Sequence, residues 1–353
     1  MKNRSKHLFL IGVSALFACF NPCFAQLGGQ ATYAFLRLPQ SARVAALGGA
    51  MLSFSDDDAA LALSNPACLN KTMHQQLSFN SGFIAPEVFT GYASYAHSLP
   101  SRWTLHGGVQ YLNYGKMPMT DEYGNVQSTF NASEYALTTG IGRKLNKNYS
   151  IGVNAHFVTS QLESYQSTAL LADAALMYND TSKGFSAAIC INNAGGQLTN
   201  YRTGNAEKMP TNLQIGIAQR LKRLPLRLTL TAQHLERWSN RYDDPYAVKE
   251  TTIFGTEQKN DTSFYWLDNA ARHFVFGGEF LLGKKENFRI RVGYNHLTQS
   301  ELLPKNLRGF LGLSFGVGLK IKQFRIEYAH QMRHFAGGTD YISISTNLSE
   351  FKK

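Results

Sequence analysis

From about residue 74 onward apolar and polar residues alternate with a period of two, the mark of a strand whose two faces meet different surroundings. Trp103, Leu105, Val109 and Tyr111 share one face of a segment whose other face holds Thr104, His106, Gly108 and Gln110. Tyr149, Ile151, Val153, Ala155 and Phe157 stand likewise against Ser150, Gly152, Asn154 and His156. Phe185, Ala187, Ile189 and Ile191 oppose Ser186, Ala188, Cys190 and Asn192, and Leu311, Leu313, Phe315, Val317 and Leu319 oppose Gly312, Ser314, Gly316 and Gly318. Carried along the chain, the pattern predicts about fourteen strands of roughly ten residues, the length a tilted strand needs to cross a bilayer. Their centres fall near Phe79, Ala93, Gly107, Leu137, Val153, Ala174, Ala188, Gly216, Leu230, Gly278, Ile290, Leu313, Ile326 and Ile344. An even number returns both chain ends to one side of the membrane.

The connections alternate in length, as they do in barrels with short periplasmic turns and long outer loops. Short turns are expected near Pro100, Asn146 and Ser182, at Lys222 to Pro225, at Lys284 to Asn287 and at Lys320 to Gln323. Long loops are expected from Tyr114 to Asn131, Asn193 to Pro210, Leu235 to Ala270 and His296 to Arg308, with an intermediate one near Tyr165. A soluble sandwich has no reason to alternate in this way. The expected fold class is therefore all-β, an antiparallel transmembrane β-barrel of about 14 strands with an N-terminal plug or hatch.

Charge refines the picture. The faces opposite the apolar ones carry Glu134, Asp173, Arg220, Arg227, Glu279, Arg289, Arg291, Arg325 and Glu327. An Arg or Lys on the lipid face costs about 2–4 kcal/mol at mid-bilayer, so these residues are expected to point into the lumen. Their mixed signs suggest salt-bridge ladders, whereas a selective filter would use rings of one sign. Most of the excess positive charge falls in the short turns, at Arg143, Lys144, Lys147, Lys183, Arg220, Lys222, Arg223, Lys284, Lys285, Lys320 and Lys322, where it can meet lipid phosphates. A nucleic-acid surface would interleave such charges with exposed aromatics on one face, and that arrangement is not visible.

The N-terminus sets the compartment. Lys2, Arg4 and Lys6 precede an apolar run from Leu8 to Phe20, and Cys23-Phe24-Ala25 supplies small residues for cleavage after Ala25, so residues 1–25 read as a secretory signal peptide. A competing site would cut before Cys19 and leave that residue lipidated. Loss of the signal lowers the net charge from +11 to about +8. The mature chain keeps Cys68 and Cys190, too few for a disulfide scaffold or a metal site. Residues 26–73 lack the alternation, contain Gly28-Gly29, Gly48-Gly49, Asp56-Asp57-Asp58 and Asn65-Pro66-Ala67, and are placed inside or beneath a barrel of residues 74–353. The three aspartates lack the spacing of a Ca²⁺ loop; capping of a helix over Ala59 to Leu63 fits them better. No Gly-x-Ser-x-Gly elbow or His-Glu-x-x-His motif occurs, so neither a catalytic site nor a cofactor is expected.

The run from Gly28 to Leu69, with Ser41-Ala42-Arg43, Leu47-Gly48-Gly49 and Asn65-Pro66-Ala67, resembles the start of outer-membrane proteins related to the long-chain fatty-acid transporter. Phe35-Leu36-x-Leu38-Pro39-x-Ser41-Ala42-Arg43, Asn113 to Met117, Gln161 to Tyr165 and His234 to Tyr246 narrow the resemblance to the PorV/PorQ family of the type IX secretion system in Bacteroidota. Fourteen strands and a hatch bearing Ser41, Ala42, Arg43, Gly48, Gly49, Asn65, Pro66 and Ala67 are what that resemblance implies. It further implies a non-enzymatic outer-membrane protein with loops at the cell surface that anchors a PorZ-like surface subunit, with PorU and PorV as further members of the attachment complex. Trp238, Tyr242, Asp243, Asp244, Tyr246, Phe254 and Trp266 in the long loop would supply the partner contacts, although Trp238 and Trp266 fit equally well in the interfacial girdle where strands leave the bilayer. The alternative is a transporter of hydrophobic small molecules, which would need an apolar tunnel past the hatch. At the C-terminus Ile342, Ile344 and Leu348 share a parity that Phe351 does not, which leaves the register of the closing strand open.

Overall fold

The computed structural model describes residues 31–240, 265–302, 309–334 and 337–351. The signal segment, Tyr242 to Tyr246 and Phe254 lie outside the described residues. Fourteen strands close into a single antiparallel barrel in chain order. They are β1 (Gln76–Ala85), β2 (Val88–Ser98), β3 (Trp103–Thr120), β4 (Val126–Lys144), β5 (Tyr149–Leu162), β6 (Tyr165–Asp180) and β7 (Phe185–Thr199). The second half comprises β8 (Asn212–Arg220), β9 (Leu226–Ala232), β10 (Phe274–Leu282), β11 (Phe288–Asn295), β12 (Leu313–Ile321), β13 (Phe324–His334) and β14 (Gly337–Asn347). Each of the expected centres falls in its own strand, and β1 closes on β14 from Gln76↔Asn347 to Phe83↔Asp340. Closure removes the sheet edges that an open structure would have to protect.

The alternation reports the two faces. Leu105, Val109, Val153, Phe157, Ile189, Phe315 and Val317 are exposed on the outer wall, while Thr104, His106, Gln110, Asn154, His156 and Cys190 are buried inside. Outward aromatic contacts run from Phe83 through Phe89 and Tyr111 to Tyr135, forming an interfacial girdle at the upper end. Three positions depart from the pattern. Leu311 is buried in the turn before β12, because Gly312 takes φ +82° there and interrupts the alternation. Arg220, placed by sequence both on an inward face and among the short-turn charges, is the exposed last residue of β8 and pairs with Glu286 in the turn between β10 and β11, which fits the turn and not the lumen. Phe351 follows β14 in a 3₁₀ turn (Leu348–Phe351) and packs edge-on against Phe324, so Ile342 and Ile344 set the outward register.

The wall is uneven in height. Strands β3 to β7 run from 14 to 19 residues, whereas β8 to β12 have between 7 and 9. Much of the expected loop from Tyr114 to Asn131 is strand, a hairpin that continues β3 and β4 past the girdle. The period-two signal stops there because both faces of the hairpin meet water.

Residues 31–75 lie within the barrel as a chain of very short helical pieces. These are 3₁₀ turns at Ala34–Arg37, Ala59–Leu63, Pro66–Cys68 and Lys71–Met73, and helix α1 (Ala42–Ala46). None is long enough to be stable alone. Side chains cap them in succession: Ser41 Oγ accepts from Val44 N, Asp58 from Ala60 N, Asn65 from Ala67 N and Asn70 from Thr72 N. Val44, Leu47, Met51, Leu52, Phe54 and Leu61 then pack on small inward residues of the wall such as Ala175, Ala188 and Ala218. Tyr33, Phe35 and Leu36 pack on Leu112, Val158 and Leu171. The lumen near the hatch therefore has an apolar lining as well as the charged one.

Candidate functional site

Arg43 is the centre of the hatch. Its side chain is fully buried and meets Asp56 at 2.6 Å, Asp58 at 3.3 Å and Glu279 of β10 at 3.2 Å. Arg227 of β9 reaches Asp56 at 3.2 Å and Glu279 at 3.5 Å. Arg291 of β11 bridges Glu279 at 2.8 Å and Glu327 of β13 at 2.7 Å, and Arg325 of β13 holds Asp57 at 2.6 Å. The Arg43 and Arg227 guanidinium groups lie over the Phe54 ring, 4.7 Å and 4.5 Å from its centre. With Arg289 acting on Asp56 and Glu279 through space, five arginines balance five carboxylates. Burial raises the Asp56 and Asp57 carboxyls, but Arg43 beside the first and Arg325 beside the second bring both below the ordinary 3.8. This cluster sits toward the strand ends joined by the short turns, and it ties the hatch to four strands.

The glycines of the hatch motif and of the wall let the two surfaces touch. Gly48 and Gly49 take φ +91° and +88°, and Gly48 N donates to Ser314 Oγ at 3.0 Å. A Cβ on Gly152 of β5 would lie 2.3 Å from the Pro66 carbonyl, and one on Gly293 of β11 would lie 2.2 Å from Gly48 N. Asn65 also donates from Nδ2 to Leu52 O at 2.7 Å, Ser150 Oγ donates to Ala67 O at 2.7 Å, and Ala42 N donates to Ser343 Oγ at 2.8 Å. The Ser-Ala-Arg, Gly-Gly and Asn-Pro-Ala groups thus each dock on a different part of the wall. The wall glycines that receive them were not singled out from sequence, though their inward parity is the signal that finds them.

On the far side of the hatch lies a cavity of about 300 Å³. Its lining mixes carboxamides, among them Gln110, Asn192, Asn193, Asn212, Gln214, Gln233, Asn295 and Gln331, with the charged Arg37, Glu301 and Arg333 and the apolar Leu36, Leu297 and Leu302, and hatch residues Gly48 to Met51 and Leu63 lie below. Several of the amides hold hatch or loop main chain: Gln110 Nε2 donates to Phe35 O at 2.9 Å, Asn192 Nδ2 to Ser64 O at 3.1 Å and Asn295 Nδ2 to Gly48 O at 3.1 Å. His156, in the same wall, lies between Thr138 Oγ1 and Asp173 Oδ2, each at 2.8 Å. The sequence of hydroxyl, imidazole and carboxylate has the composition of a nucleophile relay, but Thr138 is completely buried. Asp173 also accepts from Asn154 Nδ2 and Asn193 N, so the group braces β5, β6 and β7.

Trp238 and Trp266 are exposed on either side of the undescribed segment. Trp266 belongs to α2 (Tyr265–Ala271), whose Asn269 donates to the Trp238 carbonyl, and the Trp238 ring stacks on His273 at 5.9 Å. The two tryptophans are therefore held on one packed unit. Their expected companions Tyr242, Asp243, Asp244 and Tyr246 are outside the described residues.

No family model matches the sequence, and no curated protein does. Solved structures do match in shape. A deletion variant of the TodX monoaromatic hydrocarbon channel aligns with a TM-score of 0.54 at 13% identity over 87% of this chain and 99% of its own. The toluene transporter TodX of P. putida gives 0.51 at 12% identity over 89% and 99%, and the CymD monoaromatic hydrocarbon channel 0.51 at 12% over 88% and 96%. At such identities the likeness is one of fold: the chain is a closed fourteen-stranded barrel built on the plan of these channels.

Proposed function

We propose that the chain is a non-enzymatic outer-membrane component of the type IX secretion system. It holds a PorZ-like surface subunit of the attachment complex, beside PorU and PorV, which process and attach secreted cargo. The observation that carries this reading is the state of the lumen. The hatch fills it and is fastened by the balanced cluster of five arginines and five carboxylates around Arg43. The space left beyond the hatch is lined by amides and by the charged Arg37, Glu301 and Arg333, with Leu36, Met51, Leu63 and Leu302 between them. A route for an apolar solute calls for a mostly apolar passage, and each amide stripped of water without a new partner costs roughly 1–3 kcal/mol. What favours holding a partner is the outer surface, where the β3–β4 hairpin stands clear of the girdle and Trp238 and Trp266 are exposed. The motifs from Phe35 to Arg43, Asn113 to Met117, Gln161 to Tyr165 and His234 to Tyr246 support the family assignment.

The second reading, a transporter of hydrophobic small molecules, draws support from the fold shared with hydrocarbon channels. Deleting the gene separates the two. Trapping of proteins with the secretion system's C-terminal sorting domain in the periplasm, or their export unprocessed and unattached, is expected. Normal sorting with reduced uptake of a hydrophobic solute would transfer the assignment to the transporter.

A further inference from the structure

We propose that the upper free edge of β4, from Ser128 to Asn131, takes up an extended, uncharged segment of a surface-exposed partner protein as an added strand. The proposal rests on the anchor reading and names the surface by which the partner is gripped.

Strand β3 pairs with β2 only as far as Asn113, and β4 pairs with β5 only from Ala132 downward, yet β3 and β4 continue to pair with each other from Lys116↔Asn131 to Thr120↔Val126. Five or six residues on each strand, about 16–20 Å of height, thus have a neighbour on one side alone. The projection is rigidly made. At its base Gly115 takes φ +76° with its N–H on Asn113 Oδ1 at 2.8 Å, and Lys116 N donates to Glu87 Oε2 at 3.4 Å. At its tip Asp121 Oδ1 accepts from Tyr123 N and Asn125 N, both at 2.9 Å.

The two free edges are not equivalent. Asp121 N donates to Asn125 O across the tip, and bonded and non-bonded pairs alternate below it, so Lys116, Pro118 and Thr120 turn their main-chain groups away from β4. Pro118 has no N–H to offer and Lys116 adds a charge, two of the devices by which proteins blunt a sheet edge. On β4 the outward groups belong to Thr129 and Asn131, opposite Pro118 and Lys116. The run Val126-Gln127-Ser128-Thr129-Phe130-Asn131 contains neither proline nor charge and is rich in strand formers. A β-bulge at Gln127, where Met119 pairs with Ser128 and Thr120 with Val126, interrupts β4 near the tip, so the regular part of its free edge runs from Ser128 to Asn131. The β3 edge is closed to pairing and that stretch of β4 is open.

The open edge selects its occupant. An added strand would stand where β5 stops, above the turn at Glu163 and Ser164, and exchange main-chain hydrogen bonds with Thr129 and Asn131. Two upright barrels in one membrane present this edge running in the same direction, so a second copy could pair only in parallel, the weaker arrangement, with the two β5–β6 turns facing each other. A segment entering from outside has neither restriction.

The test uses the full-length barrel in detergent and the purified surface subunit as probe, with heat-modifiable gel mobility as the check of folding. Thr129→Pro, which removes one outward N–H, is expected to weaken binding at least tenfold, and Thr120→Pro, which removes an outward N–H of the closed edge, to leave it within twofold of wild type. In parallel, a photo-crosslinking amino acid at position 129 is expected to capture the subunit while one at 116 does not, a measurement that stands if the proline variants fail to fold. Equal binding by Thr129→Pro and wild type, or equal crosslinking from the two positions, overturns the edge assignment and leaves the anchor reading intact. Absence of binding by the wild-type barrel overturns both. Loss of barrel self-association in Thr129→Pro, without loss of subunit binding, would make the occupant a second copy and also overturn the proposal.

Discussion

Replacing Arg43 with Met tests whether the ionic cluster holds the hatch. The substitution removes the fully buried guanidinium that meets Asp56, Asp58 and Glu279 and leaves the cluster with one uncompensated negative charge. Breaking a buried pair by deleting one partner costs about 3–5 kcal/mol, which at 1.4 kcal/mol per factor of ten shifts the docked hatch toward release by about two to three and a half powers of ten. Cys68 provides the readout, because it lies in the hatch, is completely buried, and has a thiol that burial pushes well above its ordinary pKa. It can react only when the hatch opens. In a Cys190→Ser background, labelling of Cys68 by a small maleimide should accelerate by that factor in Arg43→Met. The barrel should meanwhile retain its heat-modifiable gel mobility. A labelling rate within threefold of the parent would refute the reasoning, because the cluster would then contribute nothing to docking.

Three further outcomes are expected. Gly152→Ala sets a Cβ 2.3 Å from the Pro66 carbonyl, an overpacking of about 1–3 kcal/mol; Cys68 should label about 5- to 150-fold faster, while Gly107→Ala, with nothing within 4 Å, leaves the rate unchanged. Asn65→Ala deletes the cap on Ala67 N and the bond to Leu52 O, a loss of about 1–2 kcal/mol, which the same assay should register as a rate increase of about 5- to 30-fold. The third concerns pH: Asp56 and Asp57 have folded pKa values below their ordinary 3.8, so their stabilisation is present above that value and lost as pH falls through the lower folded ones. Asp58, raised by burial, moves the other way. Reaction of Cys68 with dithiodipyridine should therefore show hatch opening rise below about pH 4, and an Asp58→Asn variant, which removes the opposing group, should make that rise steeper.

The barrel was legible in the sequence because lipid on one face and packed interior on the other impose a period that fourteen segments repeat, as Val153 and Phe157 against Asn154 and His156 illustrate. Inward charge was legible for the same reason at Glu279, Arg291 and Glu327. Pairing was not. Arg43 and Glu279 are brought together only by closure of the barrel around the hatch, and no local pattern records that Asp56 answers Arg43 and Arg227 while Asp57 answers Arg325. The capping role of Asp58 was visible because a cap acts over two or three residues. For Arg220 the turn reading prevailed over the inward one because parity places a side chain inside only while the strand continues, and β8 ends there. The height of the β3–β4 hairpin escaped because alternation lapses once both faces are wet.

The uneven wall has a consequence for the lipid around it. Strand β9, with 7 residues, rises about 23 Å along its axis and, tilted by about 40°, spans roughly 18 Å of the membrane normal. The apolar band of such barrels is about 25 Å tall. Acyl chains beside β8 to β12 must shorten, or the whole molecule must lean, to keep water away from the rim of the low side, whereas those beside β3 to β7 meet a full-height surface. The protein thus imposes a gradient of bilayer thickness around its circumference, and a neighbour with a short hydrophobic belt is favoured against the low wall before any side chain recognises it.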